Sequence, residues 1–146
     1  MSRARRLARR KAVQALYSWQ LSDEDLGDIE QQFLLEQNMK DVDLEYFKEL
    51  LHQVPKYLDE IDSKIEPKLD RPFKEIDPVE CAVMRLAVYE LLHRQDVPYR
   101  VVINEAVELT KTFGAEDGFK YVNSIIDGLA KELRKVEVNA ARQPKR

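Results

Sequence analysis

"DPVECAVMRLAVYELLHR", residues 77–94, decides the fold. Its opening is a helix start: Asp77 is placed to cap, Pro78 suits the first helical position, and Glu80 is placed to reach back three residues. Beyond it, Cys81, Val83, Met84, Leu86, Val88, Leu91 and Leu92 leave most of the circumference apolar. A helix with no wet face belongs at the centre of a domain, covered on several sides by others.

Working outward, every neighbouring segment has helical spacing. Towards the N-terminus, Leu44, Phe47, Leu51, Val54, Leu58, Ile61 and Ile65 form one stripe, capped by Asp41 or Asp43 and split or kinked at Pro55. Before it, "SDED" (residues 22–25) closes one helix and caps another over about Leu26–Gln37, which carries Ile29, Phe33 and Leu34. The first helix covers about Arg3–Leu21. Towards the C-terminus, "DVPYR" breaks the central helix. The next runs from about Arg100 to Thr112, and Gly114 is read as a left-handed closing residue. The last spans about Glu116–Lys135 on Val122, Ile125, Ile126, Leu129 and Leu133. Residues 136–146 are polar, include Pro144 and show no period, so a flexible tail is expected there. The expectation is an all-α fold: one compact domain over residues 1–135, with six or seven helices. Only four glycines and six prolines, and no alternating run, argue against a β fold.

Length supports this, since 146 residues suffice for one domain with a sizeable core. No apolar run approaches the roughly 20 residues that span a bilayer. No membrane is expected, the N-terminus lacks a secretory h-region, and the single cysteine, Cys81, suits a reducing cytoplasm.

Charge is unevenly distributed. Arg3, Arg5, Arg6, Arg9, Arg10 and Lys11 put six cations in the first eleven residues without an acid. Removing those six from a total of −3 leaves −9 on the other 135 residues. A basic end on an acidic body suits a phosphate-rich partner; a merely solvated helix end is the competing reading. Arg3, Arg6, Arg10, Gln14, Tyr17 and Leu21 follow at spacings of three and four, forming one strip flanked by Arg5 and Arg9, with Val13 and Leu16 turned inward. Guanidinium groups that lead to an aromatic ring favour single-stranded RNA, whose splayed bases reach the ring. From spacing alone, Tyr17 reads slightly better as an edge-of-core aromatic. A second aromatic and polar patch is readable in "AEDGFKYVN" (residues 115–123), with Asp117, Lys120, Tyr121 and Asn123 near Phe113 in sequence.

Catalytic chemistry finds little support. No G-x-G-x-x-G or P-loop offers a phosphate cradle. Cys81 lies in an apolar helix without an activating base. Both histidines occur as Glu-x-x-His, Glu49–His52 and Glu90–His93, the form that di-iron bundles use. Glu49 and His52 fall opposite their helix's apolar stripe, whereas Glu90 falls within one. No metal, no cofactor and no catalytic residue is therefore assigned. A purely structural helical dimer is the remaining alternative class.

"RRKAVQALYSWQL" (9–21), "RLAVYELL" (85–92) and "DVPYRVVINEAVELTKTFGAEDGFKYVNSIIDGLA" (96–130), in that order, resemble the NusB family of bacterial transcription antitermination factors. The resemblance covers Arg3 to Lys135. It implies two packed helical sub-bundles and binding of boxA RNA in nascent ribosomal transcripts. It also implies a partner, NusE, which is a small-subunit ribosomal protein, and entry into the elongating RNA polymerase complex. Methyltransferases of ribosomal RNA carry a similar helical domain, but this chain has no cofactor motif. By position, the resemblance assigns Arg5, Arg6 and Arg9 to an arginine-rich RNA segment and Tyr17 to its aromatic. It assigns Phe113, Asp117 and Tyr121 to an RNA-proximal patch, with tyrosine where the family is expected to carry phenylalanine. It assigns Glu80, at the exposed start of the central helix, to the NusE contact.

Overall fold

The computed structural model describes residues 2–142. Among these are eight α-helices and no strand: α1 (Arg3–Leu21), α2 (Leu26–Glu36), α3 (Leu44–Lys56), α4 (Leu58–Ile65), α5 (Pro78–His93), α6 (Tyr99–Phe113), α7 (Gly118–Leu133) and α8 (Lys135–Arg142). Two short 3₁₀ turns, Glu66–Lys68 and Phe73–Glu75, join α4 to α5. The all-α class holds, with more helices than the six or seven expected.

The caps sit where local chemistry puts them. Ser2 Oγ accepts from Arg5 N at 3.1 Å, Asp25 from Gly27 N at 2.9 Å and Asp43 from Tyr46 N at 3.0 Å. Asp77 accepts from both Val79 N and Glu80 N. These bonds satisfy amides that have no partner within the helix. The Leu44–Ile65 stripe divides at Tyr57, just past Pro55. Proline removes one rung of the ladder there, and the chain restarts as α4.

Helix α5 is the hub. It packs against α1, α3, α4, α6 and α7, and residues on all its sides are buried. Helices α2 and α3 lie against α1, while α6 and α7 form an antiparallel pair followed by α8. The core runs continuously from Ala12 and Leu16 through Phe47 and Leu51 to Met84, Leu86, Ile126 and Leu129.

Two expectations are corrected at the chain's turns. Gly114 is extended (φ −94°, ψ −176°), not left-handed. Its missing side chain matters for a different reason: a Cβ there would sit 2.8 Å from the Thr110 carbonyl oxygen. Gly114→Ala is expected to lower unfolding stability by about 1–3 kcal/mol, the range for overpacking against rigid backbone. Thermal unfolding with unchanged helix content checks it. Second, the flexible tail expected over 136–146 is helical as far as Arg142. Val138 is buried while Val136 is exposed, an amphipathic contact of too few residues to register as a period. Pro144 and the rest of that segment lie outside the described residues.

A buried cation organises this end. The Arg134 guanidinium donates to the carbonyls of Leu91, Val97, Arg94 and Glu90 at 2.8–3.0 Å. It thereby satisfies the C-terminal carbonyls of α5, which a helix leaves open. Glu137 accepts from Arg134 and from Tyr99 N, capping α6 where Pro98 cannot.

Candidate nucleic-acid interface

The arginines of α1 look alike in sequence but separate into three environments. Arg3 and Arg6 are exposed, at 75% and 53% of their side chains, and each touches one acid at long range: Asp41 at 3.5 Å and Glu105 at 3.4 Å. The exposed Arg3–Asp41 pair holds its side chain by about 0–1 kcal/mol, too little to prevent exchange for a phosphate. The Glu105 carboxylate beside Arg6 is buried and already has Arg9 as a partner. Arg10 is exposed and, among the described residues, has no ion pair. These three line one shallow surface with Ser2 and Leu7.

Arg9 is the correction. Its side chain is 1% exposed and cannot meet a phosphate as folded. It forks onto Glu90 (Nη2 at 2.9 Å, Nε at 3.0 Å) and reaches Glu105 at 3.4 Å. Burial alone would pull its pKa down, but the Glu90 and Glu105 carboxylates outweigh that and raise it. The Tyr46 hydroxyl also donates to Glu90. Burial first, and then the neighbouring Glu90 charge, push the Tyr46 hydroxyl well above the ordinary tyrosine range. Arg5 stands between the two classes. Its guanidinium lies 4.5 Å from the Tyr46 ring centre and pairs with Asp96 at 3.3 Å. Arg9 and Arg94 approach the same ring at 5.4 and 5.1 Å. Three cations around one ring fix the angle of α1 and hence the direction of its outer strip.

Tyr17 is 38% exposed. It lines a groove of 520 Å³ between α1, α2 and the end of α6, together with Phe113. A second groove of 430 Å³ adjoins it, sharing Gln14 and Phe113, and is lined by Arg3, Arg10, Lys11 and Lys40. The structure thus brings Arg3, Arg10, Tyr17 and Phe113 to one face, with Arg6 beside them. Lys40 was not identified from the sequence. It lies in the α2–α3 link, held against α1 by Asp43 N donating to the Ala4 carbonyl at 3.1 Å and by Asp41 at φ 65°. No local pattern carries that contact.

The second predicted patch is not one surface. Asp117 and Lys120 are exposed and paired with each other at 3.5 Å. Lys120 lines a separate groove with Phe119 and Asn104. Tyr121 is turned away and partly buried. Its hydroxyl donates to Asp70 at 2.9 Å, and Arg71 lies 5.2 Å from its ring centre. Bonds from Arg71 and Tyr121 hold the Asp70 carboxyl down at about 2.

Glu80 is a further correction: it is buried at 9% exposure, not displayed at the helix start. A Cβ on Gly118 would come within 2.8 Å of its carboxylate, so any larger residue there would make that side chain shift. Burial first, then Asp77, raise the Glu80 pKa, while Arg71 opposes them. Among the described residues it makes no capping-box bond.

The two Glu-x-x-His pairs are not drawn together. His52 bonds Glu30 at 2.8 Å, and His93 bonds Glu60 at 2.7 Å between the rings of Tyr57 and Tyr89. Glu49 accepts from the Tyr89 hydroxyl and from Arg94. Glu90 serves Arg9. The described residues hold no group of three or more His, Cys, Asp or Glu with metal-binding geometry. Burial raises the Cys81 thiol to about 11, far from a ready thiolate. No helix among the described residues is long and apolar enough to cross a membrane.

A sequence profile of the NusB family matches residues 6–131. The chain belongs to the NusB family. It is 58% identical over 125 residues to a transcription antitermination protein NusB of Shewanella amazonensis, covering 86% of this chain and 93% of that one. Over 132 residues it is 57% identical to the NusB of Serratia proteamaculans, covering 90% and 96%. Among solved structures, NusB of T. maritima superposes with a TM-score of 0.79 at 35% identity, covering 90% and 94%. A complex of the antitermination factors NusB and NusE with double-stranded RNA superposes at 0.81 and 34% identity, covering 90% of this chain and 99% of that one. NusB proteins are transcription antitermination factors, regulators that act by binding and not by catalysis.

Proposed function

We propose that this protein suppresses premature termination by binding boxA RNA of nascent ribosomal transcripts jointly with NusE, and then joining the elongating RNA polymerase in the cytoplasm. The observation that carries the RNA half is the Arg3–Arg6–Arg10 strip, which runs without interruption into the Tyr17–Phe113 groove. Cations take the phosphates and rings take unstacked bases, a division that suits single-stranded RNA. The acidic remainder of the chain suits a basic ribosomal partner. Glu80 serves that contact from its buried position by setting the α5 start against the α6–α7 turn; Asp117 and Lys120 extend the RNA surface at the start of α7. We read residues 1–135 as one domain of two sub-bundles, α1–α3 against α4–α7. Neither ligand surface has to bind tightly alone, because the paired proteins present RNA with two linked sites.

The test is a fluorescence titration of single-stranded boxA RNA and of its duplex, with and without NusE. Single strand is expected to bind more tightly than duplex, and NusE to tighten it further. Equal affinity for both forms would sink the single-strand assignment. Tyr17→Ala is expected to weaken binding about 5- to 150-fold, the loss of one base-stacking platform. Far-UV dichroism should be unchanged; lost helicity would make the ring a packing residue instead.

A further inference from the structure

The geometry points to the Tyr17–Phe113 groove as a pocket that takes one unpaired nucleobase, with Gln32 of α2 reading its edge. This rests on the RNA-binding reading and adds to it a wall and a specificity residue.

Four observations converge. The groove is lined by the buried Val13 and Phe33, by the rings of Tyr17 and Phe113, and by an exposed amide and carboxylate of α2, Gln32 and Glu36. Its 520 Å³ falls within the range of about 300–1,000 Å³ usual for small-molecule sites. Flat apolar surfaces with an amide at the edge match a base, which presents two faces to stack and one edge to hydrogen-bond. Tyr17 is 38% exposed although its neighbours Val13 and Leu16 are sealed to 1%, so the ring is available to a ligand.

Charge settles which part of a nucleotide enters. The adjoining groove is cationic through Arg3, Arg10, Lys11 and Lys40. The pocket itself carries no cation, and Glu36 repels phosphate from it. Because Gln14 and Phe113 border both grooves, a strand whose backbone lies on the cations turns its base directly into the pocket. Lys11 Nζ donates to the Gln37 side-chain oxygen at 3.3 Å, bridging α1 to the end of α2 at the junction. Gln32 is exposed. Its amide offers a donor and an acceptor side by side, the pair that reads a base edge bidentately.

The experiment pairs Gln32→Ala with an abasic scan of the boxA strand. Gln32→Ala is expected to weaken binding of the intact RNA about tenfold, the loss of one bidentate amide contact. Its salt dependence should stay that of the wild type, because glutamine touches no phosphate. One abasic position should weaken wild-type binding strongly, and in Gln32→Ala its effect should shrink by the same tenfold factor. Unchanged affinity in Gln32→Ala, or abasic effects equal in both proteins at every position, overturns the pocket while leaving the RNA reading standing. Failure of the wild type to bind boxA RNA removes both. Gln32 is exposed, so a folding defect is not expected, and far-UV dichroism verifies it.

Discussion

Arg9→Ala is expected to lower unfolding stability by about 3–5 kcal/mol, the usual effect of removing one partner from a buried pair. Natural domains have only about 5–15 kcal/mol in total, so the urea midpoint should fall by a large fraction. The magnitude follows from what is left behind. Glu90 is 1% exposed and would retain the Tyr46 hydroxyl as its close donor. Glu105, 5% exposed, would retain the long contact to Arg6. A carboxylate without its countercharge is expensive in so dry a place. Replacing the network as a unit, with Arg9→Met, Glu90→Leu and Tyr46→Phe together, should recover most of the loss, because only Glu105 then keeps a buried charge, with Arg6 still beside it. A single variant that unfolds within about 1 kcal/mol of the wild type would show that the cluster is wetter than its geometry. RNA affinity of Arg9→Ala, measured where it remains folded, should change far less than its stability.

The opposite pattern is expected when Arg3, Arg6 and Arg10 are changed together to alanine. Stability should fall far less than in Arg9→Ala, since alanine favours helix, the Arg3–Asp41 pair is exposed, and the buried Glu105 keeps Arg9 as its partner. RNA binding should weaken about 100-fold or more at moderate salt, from three charge-assisted contacts. The slope of log affinity against log salt should become shallower by about 2, at roughly 0.7 per phosphate on a single strand. A titration across salt concentrations reads both quantities. An unchanged slope would mean that phosphates do not lie on this strip. The two experiments divide one run of arginines into a part that holds the helix and a part that holds the ligand.

That division also marks how far the sequence could be read. The α1 strip was legible because helical spacing is local: Arg3, Arg6, Arg10 and Tyr17 recur at three and four, whatever the rest of the chain does. The caps at Asp25, Asp43 and Asp77 were legible for the same reason, as was the break near Pro55. Helix α8 was not, because its order rests on Val138 in the core and on Glu137 reaching Arg134 and Tyr99. Glu80 was misplaced because the start of α7, with Gly118 38 positions along the chain, comes to rest against it. The α2 wall of the groove had no signal, since Gln32 looks like any solvated glutamine until α2 folds back on α1.

By itself, then, the sequence determined most of the helices, several of their ends, the central place of α5 and the basic edge of α1. Each of these depends on residues within a few turns of one another, where backbone geometry dictates who faces whom. Only the tertiary structure decided which arginines face water. Arg9 and Arg10 are adjacent and chemically identical; Arg9 is buried because Glu90, 81 residues away, and Tyr46 converge on it. Such a choice depends on the dielectric and the countercharge that packing creates, and neither exists until distant helices meet.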